Sequence, residues 1–243
     1  MTSALAVSLE KESPVLFFTL CISFSAFSIN KERSVSYSKN PKPKVPSSLP
    51  IVGEILILSY STTSPFSIRI LNKYENSRRW EEEADAIKVD VMKNGWKEEI
   101  QSFSQAYGNL DLDSSLLLME PYGFIDADDI RYHKTVKAVK KSLLHKGLMY
   151  RYNTHDDFGC PSSAFTICTF WLIRALYVIG EKDETRCLFD EILQYSNHLG
   201  LFSEDIDFET KEQLGNFPQA YSHLALVNTA VLFAEEDKRL IFK

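Results

Sequence analysis

The chain has 243 residues, of which 44% are hydrophobic, 25% charged and 12% aromatic. These are globular proportions and exclude collagen, low-complexity polymers and full disorder. A formal net charge of −6 supplies no basic field for nucleic acid.

The charge is unevenly spread. Residues 1–79 hold ten of the 27 basic and five of the 33 acidic residues, which leaves 17 basic and 28 acidic ones beyond them. Six of the nine prolines (Pro14, Pro41, Pro43, Pro46, Pro50 and Pro65) also precede residue 70. A domain boundary is therefore expected near residue 75, with 1–75 an irregular, Ser/Pro-rich leader and 76–243 the folded unit. The run PVLFFTLCISFSAF (14–27) is shorter than the about 20 apolar residues a spanning helix needs. It is a poor signal peptide, with Glu10 and Glu12 before it and no A-x-A site after it. The weak signal and the four cysteines (Cys21, Cys160, Cys168 and Cys187), which form no CxxC pair, lean toward a cytoplasmic protein without disulfides or a zinc ribbon. EILILSY (54–60) is the one stretch with an uncertain strand pattern.

Beyond residue 80 the periodicity alternates between two kinds of helix. Segment 80–94 carries one apolar stripe (Trp80, Ala84, Ile87 and Val91), with Trp80-Glu81-Glu82 as its expected acidic start and Gly95 as its stop. Segment 112–119 is short and nearly all apolar. Segment 129–146 is striped through Tyr132, Val136, Val139 and Leu143 and stopped by Gly147. Segment 162–179 is apolar almost all round, Arg174 excepted. Segment 182–198 is striped through Leu188, Ile192 and Tyr195. Segment 217–234 is apolar all round, with Pro218 placed in its first turn.

A helix apolar on every side is buried on every side, and a striped one covers it. The order outer, inner, repeated three times, predicts an all-α array of three hairpins, half of a closed six-hairpin ring. Such a half exposes apolar edges that favour self-association. The loops entering the inner helices (95–113, 149–165 and 199–219) are rich in Tyr, Phe, Asp, Asn, Gln and Glu. Rings that cover pyranose faces beside carboxylates that take hydroxyls suit sugar binding. His155, Asp157 and Cys160 have irregular spacing, so no metal site is expected. His198 and His223 are read as hydrogen-bonded core histidines, and Trp171 as core.

GWKEEIQSFSQAYG, LDSSLLLMEPYGFI, GLMYRYN..DDFG, FTICTFWLIRALY and NHLGLFSEDID...LGNFPQAYSHLALVNTA closely resemble the second half of the catalytic domain of family-15 glycoside hydrolases, which covers glucoamylases, glucodextranases and bacterial-type trehalases. The likeness runs from about Trp80 to about Ala234. NFPQA-(F/Y)-SH preceded by S-E-(D/E/Q) is its most specific part. The resemblance implies an incomplete (α/α)6 toroid and an inverting, exo-acting hydrolase of α-glucosides that needs no cofactor, metal, nucleic acid or membrane. It makes Glu204 the general base, which activates the attacking water across roughly 6.5–9.5 Å from a general acid. It implies that Arg151 and Asp157, with Asp156 as the other candidate, contact the glucose unit, a task that suits a guanidinium and a carboxylate. Tyr107 is placed in the pocket wall.

The family's acid stands in a WE-x-R-like motif several dozen residues before the GW block. Here that region is the leader, and Glu81 and Glu82 match a helix instead. The chain is therefore expected to lack the acid and to be inactive by itself. The alternative is a truncated helical fragment that at most binds sugar or a protein partner. The sequence leaves α-1,4, α-1,6 and α,α-1,1 linkages open.

Overall fold

The computed structural model describes residues 74–155 and 159–236. The expectations for residues 1–73 (leader, signal, EILILSY and Cys21) lie outside these, as do Asp156 and Asp157.

Helix α1 spans Tyr74–Asn94. It starts earlier than the sequence predicts, because 74–79 carry no apolar stripe, so Trp80-Glu81-Glu82 stands inside the helix instead of capping it. Ala84 and Val91 of the expected stripe are buried. A two-stranded hairpin follows, β1 (Trp96–Lys97) and β2 (Ser102–Phe103). The segment LDSSLLLM forms a 3-10 helix over Ser114–Met119, every residue of it buried. Asp113 caps it by accepting the Ser115 N–H at 2.7 Å, as an N-cap carboxylate does.

Helix α2 (Ile130–Leu143) buries Tyr132, Val136, Val139 and Leu143, the predicted stripe, and is capped by Asp129. It ends before residue 146. Lys146 and Gly147 instead turn a hairpin between β3 (Leu144–His145) and β4 (Leu148–Met149). Both turn residues have positive φ, 49° and 77°, as a primed two-residue turn requires.

Helix α3 (Thr166–Val178) buries ten of its thirteen residues. At about 1.5–3 kcal/mol for each fully buried large aliphatic or aromatic side chain, it is the main apolar anchor of the array. Arg174 is the polar exception and reaches Glu120 at 3.3 Å. Helix α4 (Lys182–Leu193) buries Leu188, Phe189 and Ile192. Helix α5 spans Ala220–Glu236, so Pro218 precedes the helix instead of occupying its first turn.

The 3-10 helix, α3 and α5 form the inner layer. Helix α3 packs against both of them and against α4, while α2 lies on the 3-10 helix. Phe170 links the layers, edge-on to Phe189 and to Phe202 at 6.5 and 5.6 Å between ring centroids. Alternating outer and inner helices are thus present, with one inner element tightened to a 3-10 helix.

The sequence shows no sheet beyond residue 80, yet the loops contain short antiparallel pairs. The largest is a three-stranded sheet of β5 (Ser163–Phe165), β6 (Asp205–Asp207) and β7 (Gln213–Leu214), with β6 in the middle. Its register pairs Phe165 with Asp205 and Asp205 with Leu214. This sheet carries one loop to the entrance of α3 and fixes the residue just before β6. No described helix is long and apolar enough to cross a membrane.

Candidate active site

Glu204 stands just before β6 and its backbone is held on both sides. Its N–H donates to Asn216 O at 2.9 Å, and its carbonyl accepts the Thr166 N–H at 2.9 Å. The preceding residues are pinned to α5. Phe202 N–H donates to His223 Nε2 at 3.2 Å and Ser222 Oγ donates to Ser203 O at 3.0 Å. His223 bonds Gln219 O through Nδ1 at 2.7 Å, so its partners fix the neutral tautomer protonated on Nδ1. His198, in contrast to the expectation of a core histidine, is exposed because it lies in the turn after α4.

Both carboxylate oxygens of Glu204 have neutral donors. Tyr221 Oη donates to Oε1 at 2.6 Å. The Asn216 side-chain amide donates to Oε2 at 2.8 Å and its backbone N–H at 3.3 Å. Burial, and then the bond to Glu204, push the Tyr221 phenol up, so it remains a donor. Gly215 lies under the carboxylate, where an added Cβ would stand 3.1 Å from Oε2 at a φ of 75°. Tyr221 and Phe165 form an aromatic pair at 5.7 Å beside it. The neighbouring Asp205 is also raised, by burial first and by the Glu204 charge, while the Ser163 hydroxyl at 2.8 Å works the other way.

Arg151 forms the second part of the site. Its Nε donates to both oxygens of Asp113, at 2.8 and 3.0 Å. Asp113 is only 5% exposed, whereas the Arg151 side chain is 37% exposed. The guanidinium lies 5.9 Å from the centre of the Trp171 ring. Burial works against the Arg151 charge, and the Asp113 charge and hydrogen bond more than offset it, so the group stays above its ordinary value. Cys168 sits below, fully buried, its thiol pushed up by burial and feeling the charges of Arg151, Asp113 and Asp205. The first turns of α3 therefore stand between the two parts. Thr166 meets the Glu204 backbone, Cys168 feels the charges of Arg151, Asp113 and Asp205, and Trp171 meets Arg151.

Of the sequence-predicted residues, Glu204 meets the start of α3 at Thr166, and Arg151 meets Trp171 further along that helix. Tyr107 Oη donates to Asp90 of α1 at 2.8 Å. Asp113, Asn216 and Tyr221 emerge as partners of the predicted groups. Tyr221 carried a signal, as the variable ring of NFPQA-(F/Y)-SH. Asp113 carries no such signal and stands in the sequence only at the end of the loop 95–113. Trp171 is buried as expected, and its indole N–H has no partner among the described residues.

Alternating outer and inner helices of this kind form half of an (α/α)6 toroid. The family description Glycosyl hydrolases family 15 matches residues 66–231, and the chain belongs to that family. It is 39% identical to a trehalase of Mycobacterium tuberculosis over 166 residues, which are 66% of this chain and 24% of the relative. It is 38% identical to a trehalase of Thermoplasma acidophilum over 68% of this chain and 29% of the relative. The chain thus spans less than a third of the length of these relatives. Among solved structures it resembles a bacterial glucoamylase complexed with acarbose, with a TM-score of 0.63 and 17% identity over 76% of this chain and 33% of that one. A glycosidase variant in complex with glucose matches with a TM-score of 0.63 and 17% identity over 75% of this chain and 52% of that one.

Proposed function

We propose that this chain carries the water-activating half of an inverting, exo-acting α-glucoside hydrolase. Glu204 is the general base. It takes a proton from a water that attacks the anomeric carbon from the face opposite the leaving group, which inverts the configuration. Arg151, with Asp157 or Asp156, holds hydroxyls of the terminal glucose, and Tyr107 belongs to the wall around it. The trehalase names of the relatives favour a diglucoside substrate. The observation that carries the reading is the support of Glu204, whose two oxygens are oriented by Tyr221 and Asn216 without a cation in contact among the described residues.

The leaving group of an ordinary glucoside needs a proton, which the family resemblance places on an acid upstream of the described residues. Fluoride leaves with far less protonation, so α-glucosyl fluoride separates the two tasks. The expected result is fluoride release by this chain with β-glucose as the first product. Release should fall by about 10²–10⁴-fold in Glu204→Gln, the usual worth of general base catalysis. Equal rates in the variant remove Glu204 from the mechanism. Absence of release by the unaltered chain makes it a non-catalytic fragment. Trehalose and maltose should be turned over far more slowly than the fluoride.

A further inference from the structure

We propose that Asp113 is a positioning residue that aims Arg151 at the sugar, a role that rests on the reading of Arg151 as a glucose contact. A carboxylate only 5% exposed is costly unless it is paired and fully hydrogen-bonded. Asp113 meets both conditions. Its Oδ1 accepts from Ser115 N–H at 2.7 Å and from the Ser115 hydroxyl, and both of its oxygens accept from Arg151 Nε at 2.8 and 3.0 Å.

The backbone is tied at the same joint. Ser114 N–H donates to Arg151 O at 2.8 Å, and Ser114 Oγ donates to Tyr150 O at 2.6 Å. Arg151 is thus fixed through its main chain, through Nε and over the Trp171 ring. The Asp113 bond engages the inner edge of the guanidinium. The outer N–H groups of that planar fork are the ones suited to a pair of sugar hydroxyls. Side-chain entropy that Arg151 would otherwise lose on binding sugar is already lost in the folded chain, which is preorganisation. Cap and counter-charge are separable, because asparagine caps a helix about as well as aspartate but carries no charge.

The test uses the full chain labelled with 15N, with the Arg151 Nε–H signal identified by its loss in Arg151→Lys, and with glucose as the ligand. In Asp113→Asn the backbone spectrum is retained, while the Arg151 Nε–H signal moves toward that of a free arginine and exchanges with water at least about tenfold faster. Glucose affinity falls by about tenfold, the usual scale for a charge-assisted contact. The same Asp113→Asn change adds nothing in an Arg151→Lys background, and Asp113→Glu restores part of the signal and of the affinity. An unchanged Nε–H signal, or a loss of affinity that persists undiminished in the Arg151→Lys background, overturns the proposal. Glucose binding that Asp113→Asn leaves intact overturns the role of Asp113 alone. Absence of glucose binding by the unaltered chain overturns the sugar reading of Arg151 and this role with it. Should Asp113→Asn fail to fold, Arg151→Lys decides, since it keeps the charge but loses the planar Nε contact. An affinity unchanged in that variant also overturns the proposal.

Discussion

The two parts of the site are held in opposite ways. Arg151 rests on a buried counter-charge, while Glu204 rests on a phenol and an amide. A group that stays charged tolerates an opposite charge in contact, which also relieves its burial. A group proposed to take up a proton is better oriented by neutral donors, which fix its direction without a full counter-charge. The comparison also predicts different stability costs, because a half-made buried ion pair is expensive and a half-buried carboxylate with neutral partners is less so.

The largest effect tests what the two parts share. Phe170 is fully buried in α3 and touches Phe202, two residues before Glu204. Phe170→Ala should cost about 3–5 kcal/mol in denaturant unfolding and loosen both parts together. A cost below about 1 kcal/mol would show that α3 does not unite them.

Next comes the contrast itself. Arg151→Met strands the Asp113 carboxylate and should cost about 2 kcal/mol, less than a fully buried pair because the arginine is partly open to water. Glu204→Gln should change stability by no more than about 0.5 kcal/mol. Equal losses would erase the distinction.

Tyr221→Phe removes one of the donors to Glu204 and should cost about 1 kcal/mol, with a matching loss of fluoride release if that donor orients the base. Stability that falls without any change in release would make the hydroxyl purely structural.

The smallest effect is in pH. Burial raises the Asp205 carboxyl, so the folded chain keeps that proton to a higher pH than the unfolded chain does. Its contribution to stability is full below the ordinary aspartate range near about 4 and is lost as pH rises through the raised folded value. Asp205→Asn should therefore flatten the decline in melting temperature above that range. An unchanged profile would place the pH dependence elsewhere.

Helix type was legible on α2 and α3, where stripe and all-round apolarity are set by burial and Val136, Val139, Leu143, Leu172 and Ile173 obey that rule, whereas α5, apolar all round in the sequence, leaves Val227 and Val231 exposed. The short hairpins were not legible. Two or three residues are too few to show alternation, and β5, β6 and β7 exist only because the ends of distant loops meet. The start of α1 was missed because residues 74–79 show no apolar period. In the site, Glu204 and Arg151 were reached through motif resemblance, whereas their partners follow from tertiary contacts. Asp113 and Arg151 lie 38 positions apart, and nothing local announces their pairing.

The middle place of β6 in its small sheet has an evolutionary consequence. Phe208 just beyond it is buried against Tyr150, whereas the turn tip, residues 209–211, lies past the last paired rungs, and Lys211 there already adopts a positive φ of 61°. Lengthening that turn leaves Thr166 and Asn216 still gripping the peptide of Glu204, so new loops can be grafted there to reshape what approaches the carboxylate without moving it. A slip of one rung, by contrast, would turn the carboxylate to the opposite face, so the turn tip is free to diversify while the ladder behind it is not.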